Sequence, residues 1–236
     1  MKATARDFIK GCRDGIPIGL GYLAVSFSFG ILALRAGLTV GQAVMMSVLN
    51  LTSAGQFASL SVIAAGGSYL ELALSQLVIN LRYCLMSASL SQKIDRKAPF
   101  FHRFVMGFGV TDEIFALSAS VKGALSPFYT YGQMAVAIPG WAAGTLFGAI
   151  AGNLLPERVL SALGVALYAM FCAIVIPPAK KIKALYFVIF GAMAASVAFT
   201  YAPYLRDISS GTRIIILTVI IAAVAAYLRP VREDSL

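Results

Sequence analysis

Charge is what this sequence has least of. Only 12% of its 236 residues are Asp, Glu, Lys or Arg, against roughly 25% in an ordinary soluble domain. So few charges cannot cover a water-facing surface, and the mean hydropathy of +0.84 points to lipid as the solvent. Histidine is almost absent too. The single His102 supports no Ser/His/Asp set and no histidine-rich metal centre. Three cysteines, Cys12, Cys84 and Cys172, lie far apart and support neither a disulfide framework nor a structural zinc site. No nucleotide-binding loop or metalloprotease motif is present, so neither ATP-driven transport by this chain alone, nor an enzyme, nor a cofactor is expected. The opening MKATARDFIKGCRDG is too polar for the core of a secretory signal, and no small-residue cleavage site follows the first apolar run, which is expected to stay as a span.

The formal charge of +9 does not point to nucleic acid, because the basic residues fall in short clusters between apolar runs and not along one face. Such clusters carry topology information and, at Lys180, Lys181 and Lys183, contact with lipid headgroups. What the sequence has in abundance is runs near the length of about 20 residues that a span needs: 16–34, 42–65, 69–92, 104–121, 128–152, 157–177, 183–203 and 212–228. The expected fold is an all-α polytopic membrane protein, a single helical bundle over residues 1–236. If all eight runs cross, Lys and Arg divide ten inside to eight outside, which is no bias. If 42–65 and 157–177 instead enter and return as pairs of half-helices, the division becomes fourteen to four, with Arg82 inside the membrane. Six full spans with two re-entrant or broken segments and both termini cytoplasmic is therefore the expected topology, with seven or eight full spans as the alternative. GYLAVSFSFGILA (21–33) also resembles GWAAGTLFGAIAG (140–152). On the six-span topology these run in opposite directions, which predicts an inverted repeat of 16–121 and 128–228, a common plan for secondary transporters with broken helices around a mid-membrane site.

The chemistry concentrates in three places. In NLTSAGQF, Asn50, Thr52, Ser53, Gly55 and Gln56 interrupt an otherwise apolar run. Backbone freed by a break survives in a bilayer only inside protein or against a watery cavity. Gly55 is expected to take the unusual backbone angles, and the half-helix starting near Ser53 to present free N–H groups to an anion such as a carboxylate. The bland alternative is a continuous helix with a small polar packing face. Arg82 lies ten residues from the end of its run at Gln92, about 15 Å deep at helical rise. It needs a partner, and Asp112 or Glu113 in VTDEIFALSAS can supply one. Neighbours on a helix point about 100° apart, so one acid is expected to meet Arg82 while the other faces a cavity, to hold an ammonium or a coupling proton. A purely structural ion pair is the competing reading. Tyr22, Trp141 and Tyr168 read first as interfacial anchors, with gating of a cavity as the alternative, Glu71 as a solvated interfacial acid, Met45, Met46, Met86 and Met106 as packing or the lining of an apolar substrate pocket, and Pro139, Pro177 and Pro178 as helix bends, ends or hinges.

DGIPIGLGYLAVSFSFGILA, SAGQF, INLRYCLMSASL and TDEIFALS, in this order and spacing, resemble the AzlC-type branched-chain amino acid permease family from about residue 10 to 120, while the second half matches in hydropathy and length. The resemblance implies export of valine, leucine and isoleucine across the bacterial cytoplasmic membrane with a small hydrophobic AzlD-type partner. The motif positions it implies are Ser53, Gly55, Gln56, Asn80, Arg82, Asp112 and Glu113; with Asn50 they form the expected substrate site. Tyr83 stands where the resemblance suggests histidine, leaving Asp112 or Glu113 as the candidate to carry a coupling proton. Phe, Met, Val and Leu would hold the substrate's side chain. Two other readings stay open: a channel lined by Asn50, Thr52 and Gln56, and a membrane scaffold that transports nothing. Expected partners are thus the amino acid, the AzlD-type subunit, lipid and a second copy in a homo-oligomer, with no nucleic acid.

Overall fold

The computed structural model describes residues 2–95, 98–152, 183–202 and 208–228, together with Pro156, Cys172, Ile176, Ala179 and Lys180. These form helices α1 (Lys2–Arg35), α2 (Val40–Leu49), α3 (Ala54–Ala64), α4 (Tyr69–Lys93), α5 (Phe101–Gly109), α6 (Asp112–Ser120), α7 (Pro127–Ala151), α8 (Ala184–Tyr201) and α9 (Ser210–Leu228). Among the described residues the fold is all-helical, with one isolated bridge between Ile94 and Leu125. The hairpin expected over 157–177, with Arg158, Tyr168, Pro177, Pro178 and Lys181, lies outside the described residues except for Cys172 and Ile176.

The chain divides into two bodies, Met1–Phe57 with Asn80–Ala166, and Ala58–Ile79 with Leu167–Leu236. In the second, Glu71 is no free surface acid: it accepts the Thr212 N–H at 3.2 Å and the Ser209 hydroxyl, closing the start of α9. The first body holds the features of interest. Beside an apolar interior it buries many polar side chains, among them Ser26, Ser47, Gln56, Thr111, Ser118, Thr130, Gln133 and Thr145, while Leu20, Leu81, Leu85, Phe104 and Phe147 are exposed. Helices α1 and α7 are long and apolar enough to cross a membrane, and that surface suits them to lipid.

α1 and α7 form the spine of this body. Across α1 and α7, Gly11 meets Gly132, Gly15 meets Gln133 and Gly19 meets Gly140. A Cβ added at Gly15 would lie 3.0 Å from Gln133 Cα, one at Gly140 2.5 Å from the Gly19 oxygen, and one at Gly152 3.3 Å from Ile31 Cγ1. Small residues let the backbones touch, as at membrane helix crossings. The order of contacts also fixes direction: α1 and α7 run parallel. GYLAVSFSFGILA and GWAAGTLFGAIAG therefore lie side by side pointing the same way, and the opposed directions expected of them are corrected. α7 runs through Pro139 without ending there.

The apolar run 42–65 is interrupted. A capping box at Thr39 and Gln42 starts α2, and α2 stops where Asn50 turns out of helical geometry at φ −135°, ψ 86°. The chain then folds back. The Gln56 amide nitrogen reaches Ser47 Oγ at 3.3 Å, whereas nine residues of continuous helix would separate them by about 13 Å. The Phe57 ring packs edge-on against Phe29, 5.4 Å between centroids, back toward the end of α1.

The run 104–121, expected to be one span, is a second hairpin. α5 leaves from beside the start of α7, where His102 Nδ1 lies 2.7 Å from Tyr131 Oη. Its tip reaches Tyr22, 2.6 Å from Thr111 Oγ1. α6 then returns, placing Ser118 Oγ 3.1 Å from Thr130 Oγ1 and from Gln133 Oε1. The break comes from two consecutive extended residues, Val110 (φ −68°, ψ 119°) and Thr111 (φ −123°, ψ 172°). The Thr111 hydroxyl accepts the Ile114 N–H at 3.4 Å and caps a new helix. Both residues are buried in protein, where interrupted backbone is tolerable.

From Asn80 onward α4 runs against α1 and α7: Lys93 accepts the Leu125 N–H at 2.8 Å, just before α7 begins. Lys10, Arg13, Lys93, Arg103 and Lys122 consequently collect at the end of the body where α7 starts, and Arg35 lies at the opposite end. The expected topology had placed Lys122 opposite residues 92–103. The extra hairpin removes that crossing.

Candidate functional site

The tips of the two hairpins meet at α4. The Thr52 carbonyl, in the turn between α2 and α3, accepts the Tyr83 hydroxyl at 3.3 Å. Arg82 donates through Nη2 to that hydroxyl at 3.2 Å and through Nη1 pairs with Asp112 Oδ2 at 2.7 Å, at the start of α6. One pair of adjacent side chains thus ties both turns to one helix. The half-exposed arginine thus has the carboxylate partner that a charge within a membrane requires.

Glu113, the next residue, is engaged as well. The Tyr22 hydroxyl lies 2.5 Å from Glu113 Oε2 and 2.6 Å from Thr111 Oγ1. A phenol has one hydrogen to give, and the carboxylate is the stronger acceptor, so Thr111 is placed to donate its own hydrogen to the Tyr22 oxygen. As expected of one of the two acids, Asp112 meets Arg82, and the other, Glu113, meets Tyr22. The Tyr22 ring stands edge-on to Trp141, 5.2 Å between centroids at 81°.

From Trp141 a relay of hydroxyls leads back to the first hairpin. Thr145 donates to the Trp141 carbonyl at 3.0 Å. Ser47 Oγ and Thr145 Oγ1 are 2.7 Å apart, and Gln56 Nε2 donates to Ser47 at 3.3 Å. With the Thr145 hydrogen committed to Trp141, Ser47 must donate to Thr145 and accept from Gln56. Every hydrogen in the relay then points the same way. Closed by the chain itself between Asp112 and Glu113 and between Thr52 and Gln56, these contacts form a ring through Thr52, Tyr83, Arg82, Asp112, Glu113, Tyr22, Trp141, Thr145, Ser47 and Gln56.

Three buried polar atoms on this ring have no hydrogen-bond partner among the described residues: Gln56 Oε1, Thr52 Oγ1 and Trp141 Nε1. The first accepts, the last donates, and the hydroxyl does either. Each such atom is costly to leave unmade. The ring therefore holds unused donor and acceptor capacity in the interior of the first body, beside the Tyr22–Trp141 pair.

Of the expected site residues, Gln56, Arg82, Asp112 and Glu113 lie on the ring. Asn50 and Ser53 flank Thr52 at the turn, and Asn80 lies half-buried on α4 just before Arg82. The unusual backbone angle falls on Ser53, at φ 46°, and not on Gly55, which is an ordinary buried position in α3. Tyr22 and Trp141 are 8% and 1% exposed, too deep for the interfacial anchoring expected of them. Ser47, Thr111 and Thr145 were not singled out in sequence. Their only signal is a hydroxyl in an apolar helix, which is commonplace. Among the described residues no cluster of His, Cys, Asp and Glu could hold a metal.

A protein-family model described as AzlC protein matches residues 17–155, a stretch containing every residue of the ring. The chain is 31% identical over 175 residues to an uncharacterized membrane protein of Archaeoglobus fulgidus, covering 73% of this chain and 76% of that one. It is 29% identical over 185 residues to the inner membrane protein YgaZ of Escherichia coli, covering 75% and 76%. An uncharacterized membrane protein of Helicobacter pylori is 26% identical over 157 residues, covering 62% and 67%. No solved structure matches the chain.

Proposed function

The chain belongs to the AzlC family of membrane proteins, and from that premise we propose that it is a secondary transporter that exports branched-chain amino acids across the cytoplasmic membrane. The observation that carries this reading is the meeting of two hairpin tips at Arg82 and Tyr83, beside buried polar atoms that lack partners among the described residues. Broken helices facing each other at depth are how secondary transporters commonly build a substrate site.

A zwitterion of modest size supplies what the ring lacks. Its ammonium would donate to Gln56 Oε1 and Thr52 Oγ1, and its carboxylate would accept from Trp141 Nε1. An aliphatic side chain would lie against Tyr22, Trp141, Phe29 and Phe57. Arg82 and Asp112 would hold the tips in register, and the Glu113 carboxylate, shared with Tyr22, is the group suited to carry a coupling proton. The charge-rich end of α1 and α7 is the cytoplasmic one by the positive-inside tendency, with the N-terminus on that side. A small AzlD-type subunit is proposed as the partner.

Counterflow in proteoliposomes tests the reading. Vesicles loaded with unlabelled leucine or valine should accumulate labelled leucine transiently. Gln56→Ala and Asp112→Asn should abolish this while the protein remains folded and inserted. Flux that does not saturate and drives no counterflow would indicate a channel, and no flux at all a scaffold. Normal counterflow in both variants would remove the site assignment.

A further inference from the structure

Two contacts in the first body mirror each other. Tyr22, on the helix preceding the first hairpin, bonds Thr111 at the tip of the second. Tyr83, on the helix preceding the second hairpin, bonds Thr52 at the tip of the first. Tyr22 precedes Thr52 by 30 residues and Tyr83 precedes Thr111 by 28. The turns match locally, Leu51-Thr52-Ser53 against Val110-Thr111-Asp112, with Phe57 and Phe115 following. The directions are opposed: α1 leads away from the charge-rich end into its hairpin, and α4 leads toward that end into the other.

Like residues at like spacing, making crossed contacts between elements of opposite direction, are what two inverted copies of one unit produce. We propose that, within the first body, the stretch from α1 to Phe57 and the stretch from Asn80 to the end of α6 are two opposed copies of one unit, and that Tyr22 and Tyr83 are equivalent latches. Each holds the other copy's hairpin tip closed, so that releasing one latch opens the docking site to one side of the membrane and releasing the other opens it to the opposite side.

The latches are unequal. Tyr22 shares its hydrogen with a carboxylate at 2.5 Å, whereas Tyr83 gives its own to a neutral backbone carbonyl at 3.3 Å. Hydrogen bonds to ionised groups are the stronger class, so the α2–α3 tip is the more readily released. This inference rests on the proposed docking site, but its test uses no amino acid, so failure here is distinguishable from a wrong substrate.

The experiment uses the full chain in sealed vesicles, with Cys12, Cys84 and Cys172 replaced by Ala and one reporter, Ser53→Cys or Val110→Cys, labelled by a membrane-impermeant maleimide from either side. Tyr83→Phe should raise labelling at 53 severalfold from the face opposite the N-terminus and leave 110 unchanged. Tyr22→Phe should do the reverse, raising labelling at 110 from the N-terminal face. Should Tyr22→Phe fail to fold, Glu113→Gln weakens the same latch and decides the matter with the same reporter. Equal effects of both substitutions on both reporters, or no effect of either, would overturn the proposal.

Discussion

Gln56 is fully buried, donates its amide hydrogen to Ser47, and leaves its carbonyl oxygen without a partner among the described residues. A buried acceptor left unmade costs about 1–3 kcal/mol, so a residue in this position lowers stability in the empty protein. Gln56→Leu, similar in volume, removes that oxygen while Ser47 keeps its bond to Thr145. The variant should melt at the same temperature as the parent or higher in detergent, yet lose efflux. A core residue with no role in binding would show the opposite: lower stability and normal efflux. Gln56, Arg82, Asp112 and Glu113 were legible in the sequence because a strongly polar group in an apolar run has no cheap resting place. For Tyr22 and Trp141 anchoring and gating stayed open in the sequence, because an amphipathic ring suits an interface as well as an interior. Only the depth set by the α1–α7 register separates the two.

At the scale of elements, the glycine rows of α1 and α7 make a sharp contrast available. A Cβ at Gly148 would fall on the Phe27 carbonyl, whereas one at Gly21 meets nothing within 4 Å. Gly148→Ala should force the backbones apart and lower stability by about 1–3 kcal/mol, the usual penalty of overpacking. Gly21→Ala on the same spine should be neutral or stabilising by up to about 1 kcal/mol, from helix propensity. Thermal melting of the two variants in detergent checks this, and equal losses would contradict the packing. The break at Asn50–Ser53 was readable from its cluster of polar residues. The break at Val110–Thr111 was not, because it uses neither Gly nor Pro at the turn itself and both residues are at home in an apolar helix. What makes it is a pair of extended dihedrals and a threonine cap, stabilised by tertiary contact with Tyr22.

At the scale of the whole molecule, composition alone identified lipid as the solvent, but the distribution of charge left two topologies open. Counting charges across spans is a parity argument, and one misjudged segment inverts everything downstream of it. The parallel packing of α1 and α7 with an opposed α4 supplies an independent constraint, and with it Pro99 and Lys122 belong to the same side as the N-terminus. In a background lacking the native cysteines, Pro99→Cys and Lys122→Cys should both react with an impermeant thiol reagent only after the cytoplasmic face is opened. Eight full spans would instead expose position 99 outside, and the six-span reading from sequence would expose position 122 outside.

The central claim is that a solute docks where the two hairpin tips meet, and the chain carries its own reporter there. Trp141 is its single tryptophan, buried against Tyr22 with its indole N–H unpartnered among the described residues. Titrating purified protein with leucine should change the Trp141 emission saturably, and Gln56→Ala should abolish the change. Emission in the parent protein that stays constant at leucine concentrations sufficient to drive counterflow would contradict the account.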